Sequence, residues 1–181
     1  METDTEFKNL PKKITCAGRP IGEYDEKIPS SSTAEQILIR SGNIGSVRIG
    51  QKIGGERMRD FLQNIGVLSK IEFDIEEVGE PIPFRWGKCK LATASFGHGI
   101  TTTLLQLAKG YSIISNGGFN IKPTLIKKEF KESKKIRILN EEVSKKINQI
   151  LRKVVSTKEG TANFANIDGY QVGGKTGTAQ K

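Results

Sequence analysis

Histidine occurs once, at His98, and cysteine twice, at Cys16 and Cys89. A single imidazole excludes a histidine metal cluster and a Ser-His-Asp triad, so any serine chemistry needs a different base. Neither a metal nor a cofactor is expected. The two cysteines are far apart and lack C-x-x-C spacing, which excludes a zinc knuckle and a disulfide-dense scaffold. One bridge and two free thiols both stay open, and free thiols are the expectation. No apolar run approaches the ~18–20 residues of a membrane span. The opening Met1-Glu2-Thr3-Asp4-Thr5-Glu6 lacks the cationic start and apolar middle of a secretion signal. Read literally, such a product stays where it is made.

What is present is the composition of a globular protein, 181 residues long and sufficient for one domain with a core. Twenty-nine basic against 20 acidic residues leave a net charge of +9, and the excess gathers between Lys122 and Lys153. Basic runs invite nucleic acid or anionic polymers. Here Glu129, Glu132, Glu141 and Glu142 interrupt the run and no nucleic-acid motif accompanies it, so a solvated face is expected and nucleic acid is not.

Residues 1–29 read as a loop-rich lead-in with at most one short strand. Residues 30–118 are mainly helical. Ser32-Thr33-Ala34-Glu35 reads as a capping box, starting a helix near Thr33 with Ile37 and Leu38 inward. That helix meets Ser41-Gly42-Asn43, and a second, with Ile44 and Val47 buried, runs to Gly54-Gly55. Met58, Phe61, Leu62 and Ile65 repeat at helical spacing as core until Gly66. The stretch from Val67 to Lys90 reads as a long loop, with Trp86 a packing anchor. Thr103 and Gln106 form another capping box. Leu104, Leu107, Ala108, Tyr111 and Ile114 then make the stripe of a buried, central helix closed by Asn116-Gly117-Gly118.

Residues 119–181 carry strands and a helix. Thr124–Lys127 and Lys135–Leu139 look like a hairpin or edge strands. Asn140 caps a last helix with Glu141 and Glu142 in its first turn and Val143, Ile147, Ile150, Leu151 and Val154 buried. The order of elements predicts an α+β fold.

Near the end stands Gly173-Gly174-Lys175-Thr176-Gly177-Thr178-Ala179, after the alternating Tyr170-Gln171-Val172. This reads as a strand whose bare backbone lets an extended ligand approach. Lys175, with hydroxyls at Thr176 and Thr178, suits a carboxylate or phosphate. Gly169–Thr176 also satisfies the phosphate-loop pattern G-x-x-x-x-G-K-[ST]. A phosphate loop needs a buried apolar strand before it and a helix after it. Polar Thr161-Ala162-Asn163-Phe164 precedes this one, so the nucleotide-binding module is the alternative reading.

Taken together, Ser41-Gly42-Asn43, Ala94–Gly99, Thr103–Ala108, Asn116-Gly117-Gly118 and Lys175-Thr176-Gly177-Thr178 resemble the transpeptidase domain of class B penicillin-binding proteins of the division-specific, septal type. Ser41-Gly42-Asn43 stands in the place of that family's S-x-N motif and Lys175–Thr178 in that of K-T-G-[TS]. The resemblance implies the penicillin-binding-protein and serine β-lactamase-like fold, here a helical region with an incomplete antiparallel sheet, and acyl transfer from a D-Ala-D-Ala stem peptide. Ser41 would relay a proton to the leaving amine, and Asn43 would hold the substrate amide and the catalytic lysine. Lys175 would face the substrate carboxylate, which Thr176 and Thr178 bind around Gly177, with the Thr178 N–H as an oxyanion donor. D,D-carboxypeptidase or β-lactamase activity is the alternative within that class. The implied partners are peptidoglycan stem peptides, β-lactams and division-machinery proteins. The implied location is the outer face of the bacterial cytoplasmic membrane, through an anchor outside this sequence.

The departure that matters is the nucleophile. The family carries it in S-x-x-K, and no serine here has lysine three positions later. Thr5-Glu6-Phe7-Lys8 has the spacing but the wrong head. Gly42 replaces a usual polar residue, and Leu104 stands where proline is common. The sequence is therefore expected to be an incomplete transpeptidase domain, inactive alone. His98 is expected in a loop near the cleft, bonded to backbone rather than catalytic.

Overall fold

The structure is a computed structural model describing residues 1–75, 79, 82, 85–87, 89–127 and 136–178. Two compact units emerge. One comprises residues 1–58, 85–99 and 148–181, the other residues 59–84 and 100–147.

The first unit opens with four short strands, β1 (Glu6–Phe7), β2 (Lys13–Cys16), β3 (Arg19–Gly22) and β4 (Ser32–Thr33). They pair as two antiparallel ribbons, β1 with β4 and β2 with β3. The lead-in thus holds more strand than expected. The β2–β3 hairpin turns on Ala17 and Gly18, both at positive φ (48° and 78°), the two-residue geometry that matches strand twist. Its Ala-Gly sequence is a weak turn signal, which is why the hairpin was hidden.

Helix α1 (Ala34–Ile39) follows at once. Its capping box is Thr33 with Gln36, one residue later than Ser32 with Glu35, because Ser32 is buried in pairing with Phe7. Ile37 and Ile39 are its buried residues, not Leu38. Helix α2 (Asn43–Ile53) buries Ile44 and Val47 as expected. It packs on α4 (Lys90–Ser95) so closely that a Cβ at Gly50 would lie 1.8 Å from Ser95 Oγ. Leu10, Ile21, Ile44, Val47 and Ala92 form the core, flanked by Phe7, Ile14, Cys16 and Phe96.

Cys16 and Cys89 are joined by a disulfide, so the expectation of free thiols is corrected. The hairpin brings residue 16 beside the start of α4, a proximity that spacing along the chain cannot reveal. The bond ties β2 to α4.

Helix α3 (Gly55–Asn64) buries none of its residues, and of the expected stripe only Ile65, just past its end, is buried. In the second unit, α5 (Leu104–Ser115) begins on the expected Thr103–Gln106 box but buries Gln106, Gly110 and Ile113. Leu104 is 86% exposed, and Leu107 and Tyr111 are also exposed. The reason is Gln106, whose Nε2 donates to the Ser69 carbonyl at 2.6 Å while its Oε1 accepts from the Thr103 N–H at 2.8 Å. Those bonds turn that face inward and rotate the apolar stripe away.

The expected hairpin of Thr124–Lys127 with Lys135–Leu139 is not the pairing found. Residues 136–138 lie against 118–120: the Asn120 N–H donates to the Ile136 carbonyl (2.8 Å) and the Ile138 N–H to the Gly118 carbonyl (2.7 Å). The Thr124 region turns instead on Asp74, whose Oδ2 accepts from the Leu125 N–H at 2.7 Å. Lys135 and the joining residues 128–134 lie outside the described residues, as does much of the expected loop at 67–90.

Helix α6 (Glu141–Ser156) is capped by Asn140, whose Oδ1 accepts from the Glu142 N–H at 2.8 Å. Ile150, Leu151, Val154 and Val155 are buried and Val143 is exposed. A single 3-10 turn (Asn163–Ala165) follows. Among the described residues no helix is long and apolar enough to cross a membrane.

Candidate active site

Ser41 sits at the break between α1 and α2. Its N–H donates to the Leu38 carbonyl (3.2 Å) and that of Gly42 to the Ile37 carbonyl (3.0 Å), closing α1 in the Schellman pattern. That closure needs a left-handed residue, usually glycine, at the position Ser41 occupies, and Ser41 has φ 57°. A left-handed side-chain-bearing residue costs roughly 1–2 kcal/mol. The return is a hydroxyl held on a rigid corner.

Gly42 then begins α2 without a side chain to cap it. Glu23 does so from across the chain: its Oε2 accepts from the Asn43 N–H at 2.7 Å and its Oε1 from the Ile44 N–H at 3.0 Å. A carboxylate there complements the positive end of the helix. The Asn43 side chain is anchored beside it, its Nδ2 donating to the Gly22 carbonyl at 2.8 Å.

Lys175 arrives from the other end of the chain. Arg152 on α6 donates through Nη1 to the Val172 carbonyl and to Asn166 Oδ1, each at 2.9 Å, and the Gly174 N–H donates to the Leu151 carbonyl at 3.1 Å. A Cβ at Gly173 would press within 3.4 Å of the Leu151 and Arg152 backbone, so glycine permits this close docking. The expected strand at 170–178 has no sheet partner among the described residues; α6 holds it instead.

These two arrivals meet. Lys175 Nζ donates to Ser41 Oγ at 2.6 Å and also reaches the carbonyl and hydroxyl of Thr176, at 3.1 and 3.2 Å. The Thr176 hydroxyl in turn shares a hydrogen with that of Thr161 at 2.8 Å. Simple alternation would place Lys175 and Thr176 on opposite faces; the long lysine side chain curls back to join its neighbour. Burial pushes the Lys175 ammonium below its usual pKa range.

Gly177 and Thr178 are exposed, and no atom lies near where a Gly177 side chain would be. Ser41, Lys175 and Thr176 are thus brought into one cluster, Asn43 lies at its edge, and Gly177 and Thr178 lead away from it with open backbone. Lysine beside two hydroxyls can exchange a proton along the row Lys175–Ser41 while presenting positive charge to an anion.

Glu23, Arg152 and Thr161 were missed in the sequence. Thr161 lay in the polar stretch before the motif, where it reads only as a loop residue. Glu23 and Arg152 act by tertiary contact and carry no spacing signal. His98 lies in a loop with its backbone N–H donating to the Thr93 carbonyl at 2.9 Å, as expected, while its ring packs on Phe96 (centroids 4.9 Å apart) and its buried Nδ1 has no hydrogen-bond partner among the described residues.

Over residues 1–181 the chain matches the family described as the penicillin binding protein transpeptidase domain. It is 31% identical over 150 residues to the probable peptidoglycan D,D-transpeptidase FtsI of Caulobacter vibrioides, covering 81% of this chain and 25% of that protein. The fold is similar to the apo transpeptidase domain of Burkholderia pseudomallei penicillin-binding protein 3, with a TM-score of 0.88 and 26% identity over 99% of this chain and 54% of that one. It is similar too to Mycobacterium tuberculosis penicillin-binding protein 3 complexed with aztreonam, with a TM-score of 0.85 and 26% identity over 99% of this chain and 44% of the other. The chain therefore spans about a quarter of the Caulobacter relative and about half of the solved chains. Among the described residues no strand precedes Lys175 in the phosphate-loop pattern at Gly169–Thr176, and the family match is to the transpeptidase domain. With mixed helices and small antiparallel sheets matching these domains, the chain belongs to the penicillin-binding protein transpeptidase family.

Proposed function

We propose that the chain is part of a longer serine-type D,D-transpeptidase that cross-links peptidoglycan during septal cell-wall synthesis. The observation that carries this is the 2.6 Å contact of Lys175 Nζ with Ser41 Oγ, which joins the two family motifs in one site.

In the proposed reaction a serine outside these 181 residues attacks the carbonyl between the two terminal D-alanines of a stem peptide. Its hydroxyl proton passes to a lysine. Ser41 relays that proton onward to the departing amine, so D-alanine leaves with the proton it needs and an ester links peptide to enzyme. An amine of a neighbouring strand then attacks the ester, and the proton it sheds returns to the serine oxygen as the acyl group departs. Lys175 supplies positive charge at the substrate carboxylate, with the hydroxyls of Thr176 and Thr178 beside it. The open backbone at Gly177 admits the peptide, and the Thr178 N–H stabilises the oxyanion. Asn43 uses one Nδ2 hydrogen on the Gly22 carbonyl, which orients its Oδ1 as the acceptor for a substrate amide or the catalytic lysine.

The proposed partners are stem peptides ending in D-Ala-D-Ala, β-lactams that mimic them, and proteins of the division machinery. The proposed location is the outer face of the cytoplasmic membrane. The Cys16–Cys89 disulfide supports that, since such bonds persist in oxidising compartments and are rare in the cytosol.

The test is covalent labelling with a fluorescent penicillin. The longer protein should be labelled stoichiometrically and the isolated chain not at all. Release of D-alanine without cross-linked product would make it a carboxypeptidase instead. A labelled isolated chain would place the nucleophile among these residues, and a longer protein that stays unlabelled would overturn the assignment.

A further inference from the structure

We infer that Gly22-Glu23-Tyr24 is a positioning clamp that fixes Ser41 opposite Lys175; the inference rests on the acyl-transfer reading of that pair. These three successive residues grip the chain on both sides of the break. Tyr24 donates its hydroxyl to the Arg40 carbonyl at 2.8 Å, immediately before Ser41. Glu23 and Gly22 hold the Asn43 N–H, the Ile44 N–H and the Asn43 side chain, immediately after Gly42. A Cβ at Gly42 would lie 3.8 Å from Glu23 Oε1, so the carboxylate lies directly against the break.

The clamp is itself anchored. It continues β3, and β2 of the same hairpin is bonded to Cys89 at the start of α4. Conformations such as that of Ser41 persist only where the surroundings over-determine them. Helix α1 has its own capping box and Schellman closure, but α2 starts on a glycine with no side chain to hold its first N–H groups. Loss of the clamp therefore releases the end of the break from which α2 departs, and with it the direction of the Ser41 hydroxyl. A shift of about 1 Å at a reacting group costs on the order of 100-fold in rate. Among the described residues neither Glu23 nor Tyr24 is hydrogen-bonded to Lys175, and both act through the backbone of the break, so they are positioning residues.

The experiment measures penicillin acylation of the longer protein in Tyr24→Phe, Glu23→Gln and Glu23→Ala. Tyr24→Phe should acylate about 10-fold more slowly and Glu23→Ala about 100-fold more slowly. Glu23→Gln, which keeps one acceptor oxygen and replaces the other by an amide N–H that cannot accept, should fall between wild type and Glu23→Ala and acylate about 10-fold more slowly than wild type. Thermal midpoints of Tyr24→Phe and Glu23→Gln should stay near wild type, separating position from folding. Wild-type acylation rates in Tyr24→Phe and Glu23→Ala would overturn the clamp. If Glu23→Ala does not fold, Tyr24→Phe and Glu23→Gln decide alone. A wild-type protein that penicillin never labels sinks the acyl-transfer reading instead. The clamp is then judged by amide hydrogen exchange, where Glu23→Ala should expose Asn43 and Ile44 about 10-fold more, and unchanged exchange overturns it.

Discussion

Lys175 donates to Ser41 across 134 positions of sequence, over 2.6 Å. Ser41 is held by a helix ending on its own terms, and Lys175 by a segment strapped to α6 through Arg152. Neither depends on the other for its backbone course. The site is the place where two independent supports deliver a hydroxyl and an ammonium to one point.

Because burial lowers the Lys175 pKa, stability should depend on alkaline pH. The folded chain binds that proton less tightly than the unfolded chain, so folding gains as pH rises from the lowered folded value to the ordinary unfolded one. Below that window the cost of burying the charge is fully present, and above it the cost is gone. Denaturant midpoints of wild type and Lys175→Met, measured across the alkaline range, should converge or cross in favour of wild type as pH rises. A constant difference would show that Lys175 is not desolvated.

The Cys16–Cys89 bond closes a loop with a separation of 73 residues. On the chain-entropy estimate a loop of that length is worth about 4 kcal/mol. Double replacement by serine, or reduction, should lower the unfolding free energy by about that much in a denaturant titration. An unchanged midpoint under reducing conditions would mean that the bond does not form in the native chain.

How much of this could be read in advance depended on the range of the cause. Local causes were legible: Thr103 with Gln106 and Asn140 before Glu141 start helices where their own side chains can reach. The Ser32 reading slipped by one residue because pairing with Phe7, 25 positions upstream, claims Ser32. The stripe on α5 failed for a similar reason, since the carbonyl of Ser69 decides which way Gln106 points. Ser41, Asn43 and Lys175 were singled out because family motifs mark them. Glu23, Thr161 and the Cys16–Cys89 pairing belong to no local pattern, and their roles exist only once the chain has folded back.

The packing of α2 on α4 predicts a specific intolerance at Gly50. Alanine there would place its Cβ 1.8 Å from Ser95 Oγ, and that hydroxyl already donates to the Leu91 carbonyl at 2.6 Å. Overpacking costs about 1–3 kcal/mol, against about 1 kcal/mol gained from replacing a helical glycine. Gly50→Ala should be destabilising by up to about 2 kcal/mol on balance. Adding Ser95→Ala should restore part of that loss, and full additivity in the double-mutant cycle would contradict the clash.

The left-handed backbone of Ser41 sets stability against function at a single residue. Ser41→Ala removes the hydroxyl and its bond to Lys175 but keeps a Cβ at φ 57°, whereas Ser41→Gly removes the Cβ as well. Both lose the same contact, so their difference isolates the backbone strain. Glycine should be the more stable of the two by about 1 kcal/mol, because its folded conformation no longer crowds the following carbonyl. Glycine also gains freedom in the unfolded chain, which offsets part of this, so the measured gap is a lower bound on the strain. In the longer protein both variants should lose penicillin acylation by a similar factor of about 100 or more, since the proposed proton relay is gone from each. If Ser41→Gly were less stable than Ser41→Ala, the strain at Ser41 would be smaller than the roughly 0.5–1 kcal/mol that glycine loses through its freedom in the unfolded chain.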